Sequence, residues 1–189
     1  MKIAILLGSV REGRQTPKIT YYLQTQLEVH AGVDADVIDL KAVQLPIFSN
    51  RWQKNESPHP NLPRISQLLH DADAIIFASP EYHGSYTGVL KNAVDHYWQE
   101  FYRKPIGVVA TGAGRYGGIN ASSEMQQLIL SLGAYPIPYK LLVPQIKGAF
   151  DDEDQLIDDH VAEAVEKFVS EFLWFSQAIT QAKMVKAVP

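Results

Sequence analysis

The sequence predicts an α/β fold in which five parallel strands are covered by helices on both faces. Three observations predict it. Five short apolar, β-branched runs recur at wide spacing, helix-length stretches with apolar residues at three- and four-residue steps lie between them, and the 189-residue length suits a single core. Strands buried on both faces read as such continuous apolar runs, because helices cover the sheet on each side. The whole chain, residues 1–189, is therefore expected to be one domain.

Taken in order, the strands are KIAILL (2–7), DADVIDL (34–40), DAIIFA (73–78), IGVVAT (106–111) and YKLLVP (139–144). The helical stretches are residues 16–31, 60–71, 87–101, 118–133 and 154–180. In the last of these, Leu156, Ile157, Val161, Ala164, Val165, Phe168, Val169, Phe172, Leu173 and Ile179 form one broad apolar stripe. The acidic run at 151–159 is expected to solvate that helix's N-terminus, where it also suits the helix dipole. Residues 44–63 are the one long irregular stretch and hold four of the eleven prolines. A loop of that length is expected to serve function, here from the rim of a pocket.

Composition excludes several classes of activity. There is no cysteine, so disulfides, thiolate metal sites, iron–sulfur clusters and thiol nucleophiles are absent, and redox work would need a bound cofactor. The formal charge of −4 argues against a basic nucleic-acid binder. The N-terminal apolar run, five residues ended by Gly8, is too short for a signal peptide or a membrane span, so a cytoplasmic location is expected. The six histidines form no metal-binding pair at helical spacing, and neither HExxH nor G-x-S-x-G occurs.

In sheets of this class ligands bind beyond the carboxyl ends of the strands, so the turns after each run carry the information. After the first comes GSVREGRQTP, with Ser9 and Thr16 offering hydroxyls and Arg11 and Arg14 offering cations. Thr16 reads as an N-cap with Pro17 at the first helical position, and exposed N–H groups there suit a phosphate. No Walker A pattern is present, which removes the main support for triphosphate hydrolysis. After the third run, SPEYHGSYTG sets backbone amides and the Tyr82 ring beside Pro80, Gly84 and Gly88, a combination that fits a flat heteroaromatic ligand. After the fourth, TGAGRYGG holds G-x-G-x-x-G at Gly112, Gly114 and Gly117. It does not follow the first strand, as a dinucleotide fingerprint should, and reads as close backbone approach to a planar ligand.

The order of these blocks, GSVREGRQT, LPIFSN, PEYHGSYTGVLKNAVDH and TGAGRYGG, resembles the NADPH-dependent FMN reductase family, of flavodoxin-like fold, over residues 1–145. The resemblance implies non-covalent FMN, NADPH or NADH as hydride donor, and a small-molecule acceptor such as a quinone, free flavin, azo dye or oxidised metal ion. It implies that Ser9, Arg11, Gln15 and Thr16, helped by Arg14, hold the FMN phosphate. Pro80, Glu81, Tyr82, His83, Gly84, Ser85, Thr111, Gly112 and Gly114 would line the ring. His83 departs from the family's usual Asn and would alter hydrogen bonding at the ring edge. No catalytic side chain is assigned, because hydride transfer asks the protein mainly for orientation. Arg115 could meet a 2′-phosphate.

The resemblance also implies a homodimer or homotetramer, with Tyr97, Trp98, Phe101 and Tyr102 as a candidate contact. The alternatives are a flavodoxin-like FMN electron carrier without nicotinamide turnover and a non-redox binding domain on the same fold.

Overall fold

The computed structural model describes residues 1–51 and 59–184. Its sheet has the strands β1 (Lys2–Leu7), β2 (Asp34–Asp39), β3 (Ala74–Pro80), β4 (Pro105–Thr111) and β5 (Tyr135–Val143), all parallel, in the order β2-β1-β3-β4-β5. The helices are α1 (Thr16–Glu28), a single turn α2 (Leu40–Val43), α3 (Asn61–Asp71), α4 (Gly88–Asp95), α5 (Ile119–Ser131) and α6 (Asp159–Met184). Parallel neighbours need crossover connections, and the helices supply them.

Two cores flank the sheet. Ile3, Ile5, Leu7, Ile76 and Val109 face α1 and α6, whereas Ala4, Leu6, Phe77, Val108 and Ala110 face α3, α4 and α5. Successive strand residues alternate between the cores, and both sets are apolar because neither face meets water. On the first face the stacked rings of Phe168 and Phe172, 5.7 Å apart, lie directly on Gly107, where a Cβ would come within 2.8 Å of Phe172.

Several boundaries differ from the sequence expectation, and four of the differences bear on the fold. The last helix begins at Asp159 rather than 154, because the Asp151 carboxylate accepts from the N–H groups of Glu153 and Gln155 and folds the acidic run into a turn. Asp158 then caps the helix by accepting from His160 and Val161. Leu156 and Ile157 therefore precede the helix, and Ile157 is exposed.

Helix α4 ends at Asp95 rather than 101, and short turns carry the chain on, with Tyr97 bonded to Val94 and Phe101 to Trp98. Strand β5 starts at Tyr135, four residues early, despite Pro136 and Pro138; as an edge strand it tolerates residues that lack an N–H. Finally, Gln15 rather than Thr16 is the N-cap of α1.

Residues 44–51 of the long loop pack on α4. Asn92 accepts from the Phe48 N–H and donates to Pro46, while the His96 ring reaches the Pro46 carbonyl and meets the Phe48 ring edge-on. Residues 52–58 of that loop lie outside the described residues.

Candidate cofactor site

The carboxyl ends of β1, β3, β4 and β5 open into a cleft of about 970 Å³, within the size range of cofactor sites. The turn after β1 and the start of α1 contribute Ser9, Arg11, Gly13, Arg14, Gln15 and Thr16 to its lining. The first turn of α1 has no side-chain cap, since Gln15 donates instead to the Gly13 carbonyl. The Thr16 hydroxyl is buried and shares a 2.9 Å hydrogen bond with Thr111, tying α1 to the end of β4. By contrast, Thr87 caps α4, Asp158 caps α6, and Glu81 accepts from the N–H groups of Asn120 and Ala121 at the start of α5. The start of α1, left without a side-chain cap and with the helix dipole behind it, fits an anion.

The two arginines expected at the phosphate divide. Arg14 makes a bidentate pair with Asp39 at the end of β2, both contacts at 2.6 Å, and also donates to the Ser9 carbonyl. Burial pushes the Asp39 carboxyl up, but the Arg14 guanidinium and the Lys41 N–H outweigh it and hold it below the ordinary carboxylate range. Arg14 thus braces the loop with a largely neutralised charge. Arg11 is exposed and has no hydrogen-bond or ion-pair partner among the described residues.

After β3 the chain forms a tight hairpin. Tyr82 and Ser85 exchange backbone hydrogen bonds of 2.8 and 3.1 Å across His83 and Gly84, which sit at φ 52° and 79°. Positive φ at both central positions marks a type I′ turn, for which Asn-Gly is the favoured pair. His is among the residues enriched at positive φ, so the departure from Asn keeps the turn. The hairpin leaves Tyr82 37% exposed on the cleft. The whole corner is anchored: the Thr87 hydroxyl donates to the Gly8 carbonyl at 2.6 Å, and the Thr87 N–H donates to Ser79. A Cβ on Gly8 would come within 2.8 Å of Leu90, so glycine lets β1 approach α4 this closely.

Of the residues expected at the site, Ser9, Arg11, Arg14, Gln15, Thr16, Pro80, Glu81, Tyr82, Thr111 and Gly112 line the cleft. His83, Gly84, Ser85 and Gly114 are not part of that lining. Glu81 is held by α5, and the Gly114 carbonyl accepts from Gln145. Sequence reasoning missed the turn after β5, where Gln145, Ile146, Lys147 and Gly148 complete the wall. The signal was there, since these residues follow the fifth apolar run, but their contact with the fourth turn is tertiary.

The aromatic cluster after α4 also divides. Tyr97 and Phe101 are buried in the core, burial pushing the Tyr97 hydroxyl well above its ordinary range, whereas Trp98 and Tyr102 are exposed. Among the described residues no helix is long and apolar enough to cross a membrane.

An uncapped helix, a free Arg11 and an aromatic hairpin around one cleft fit a phosphate-bearing flat cofactor, the chemistry of FMN. Known proteins agree. The NADPH-dependent FMN reductase profile matches residues 1–148. An FMN-dependent NADPH-azoreductase of Staphylococcus saprophyticus is 34% identical over 164 residues, covering 84% of this chain and 82% of its own. An NAD(P)H-dependent FMN reductase of Pseudomonas aeruginosa is 29% identical over 175 residues, covering 88% and 90%. Among solved structures, the flavoenzyme NAD(P)H:acceptor oxidoreductase from Paracoccus denitrificans superposes with a TM-score of 0.76 at 21% identity, over 94% of this chain and 97% of its own, which shows a shared fold. On the strength of the matched profile and the S. saprophyticus relative, the chain belongs to the NADPH-dependent FMN reductase family.

Proposed function

We propose that this FMN- and NAD(P)H-dependent oxidoreductase works by a ping-pong hydride cycle and passes electrons to small acceptors: quinones, free flavins, azo dyes or oxidised metal ions. The observation that carries the reading is the meeting of the uncapped α1 N-terminus and unpaired Arg11 with the half-exposed Tyr82 hairpin in one cleft. The S. saprophyticus relative is named an azoreductase, which makes an azo dye the natural first acceptor to try.

In this reading FMN, when bound, supplies the two-electron carrier between nicotinamide nucleotide and acceptor. The chain's residues bind and orient. Ser9, Arg11, Gln15 and Thr16 would hold the phosphate, with Arg14 fixing the loop from behind through Asp39. Pro80, Glu81, Tyr82, His83, Gly84, Ser85, Thr111, Gly112 and Gly114 would frame the ring, backbone amides donating to its polar edge. No side chain is required to move a proton during hydride transfer, and the work of the fold is to leave one ring face open for donor and acceptor in turn. Residues 1–189 would act as one FMN-binding unit in a cytoplasmic homodimer or homotetramer, with the exposed Trp98 and Tyr102 in the subunit contact.

The test is a visible spectrum of FMN-reconstituted protein followed after anaerobic NADPH addition, then initial rates with an azo dye or a quinone. Bleaching of the flavin bands and parallel double-reciprocal lines are expected. Bands that persist would overturn the reading in favour of an electron carrier, and intersecting lines would overturn the ping-pong cycle.

A further inference from the structure

Among the described residues Lys147 is the one cleft cation that neither the sequence motifs nor the fold's bracing accounts for. Of the three cations lining the cleft, Arg14 is paired with Asp39, while Arg11 and Lys147 have no hydrogen-bond or ion-pair partner among the described residues. Lys18, on the first turn of α1, is also engaged, by Asp154 at 2.7 Å. Among the described residues the single carboxylate in the lining is Glu81, held by the α5 N-terminus. A chain of net charge −4 thus exposes two uncompensated positive charges in one cleft.

The backbone that carries Lys147 is fixed. Gln145, at φ 44°, donates its N–H to the Gly114 carbonyl and Ile146 donates to Gly112, so the turn is bonded to the fourth-strand loop. Gly148 closes the turn onto Gln145, and the Ile146 side chain is sunk in the core. The ammonium therefore projects on a flexible stem from an anchored base, which is how lysine serves as a point charge toward phosphate.

The geometry points to Lys147 as a binding residue for a phosphate monoester dianion, acting with Arg11 in the cleft. This rests on the FMN reductase reading above. Two ligands of that reading carry such a group, FMN at its 5′ end and NADPH at its ribose 2′ position, and each has a counterpart without it, riboflavin and NADH. Lys147 is exposed and has no partner among the described residues, so its replacement leaves the fold intact and the affinities readable.

The experiment compares wild type, Lys147→Gln and Lys147→Arg. Apo-protein is titrated with FMN and with riboflavin by flavin fluorescence, and FMN-saturated protein is titrated with NADPH and with NADH. Lys147→Gln is expected to lower the FMN-to-riboflavin or the NADPH-to-NADH preference about tenfold, with Lys147→Arg retaining it, as for loss of one charge-assisted contact. Which ratio falls identifies the ligand. Both ratios within about twofold of wild type, or equal losses in Gln and Arg variants, would overturn the assignment while leaving the family reading untouched. Wild-type protein that binds no flavin would instead overturn the functional reading, and this inference with it.

Discussion

The two ends of the sheet treat their polar groups in opposite ways. At the amino end Asp73 and Lys104 are matched inside the fold: Asp73 accepts from the Lys2 N–H, and Lys104 donates to the carbonyls of Leu69 and His70 at the end of α3. At the carboxyl end Arg11 and Lys147 have no such partners among the described residues and α1 has no side-chain cap, whereas Arg14 and Glu81, equally polar, are internally bonded braces. Groups left unmatched beside a cleft are those a ligand can match, and this asymmetry locates function more sharply than the count of charged residues does.

Glycines at the two ends of the sheet differ in what an added methyl group would meet. Gly117, at φ 59°, would place a Cβ 2.9 Å from the backbone nitrogens of Val143 and Pro144, atoms that cannot swing aside. Gly117→Ala combines left-handed strain with overpacking and is expected to cost about 3 kcal/mol in denaturant unfolding. At the amino end Gly133, φ 68°, meets only the ring of the exposed Tyr102. The ring can turn away, leaving mainly the conformational strain, about 1 kcal/mol, for Gly133→Ala. Equal losses would show that the fourth and fifth turns are not rigidly joined.

A brace and a ligand should separate in the two arginines. Arg14→Met strands Asp39, whose side chain is only 15% exposed, and is expected to destabilise the apo-protein by about 2 kcal/mol in the same assay. Because the folded Asp39 carboxyl sits below its ordinary value, its contribution is full above about pH 4 and is lost as pH falls through the depressed pKa. The stability gap between wild type and Asp39→Asn should close in that acid window and not near neutrality. Arg11→Gln, in contrast, should leave apo stability unchanged and weaken FMN binding about tenfold by fluorescence titration. A destabilised Arg11→Gln apo-protein would place Arg11 among the braces.

Much of this division was hidden in the sequence, for identifiable reasons. The strands were legible because their residues face apolar cores on both sides, and the resemblance pointed to the first, third and fourth turns. Whether Arg11 or Arg14 remains free could not be read, since Asp39 lies 25 residues away and meets Arg14 only once β2 pairs with β1. Tyr97 and Phe101 mimic a helical step while sitting in turns, so periodicity overran α4. Two prolines concealed the first half of β5, and with it the register that brings Gln145 and Lys147 to the cleft.

The smallest expected effect is at Lys104, at the amino end of the sheet. Burial lowers the Lys104 pKa to about 8, with Lys183 adding repulsion and Asp73, Glu100 and Asp71 opposing it. The unfolded chain holds this proton up to an ordinary lysine value near 10.4, so between about pH 8 and 10 the unfolded state binds more protons at this site. Stability attributable to Lys104 therefore rises with pH across that window, because the neutral amine escapes the desolvation cost and can still donate to α3. After allowance for partial solvation the rise is about 1 kcal/mol. It is read as the wild-type unfolding free energy minus that of Lys104→Met at pH 7.5 and at pH 10, which cancels the other titrating groups. A flat difference would mean that the ammonium at the amino end is as well solvated as those left open around the cleft, and the contrast between the two ends would then rest on hydrogen bonding alone.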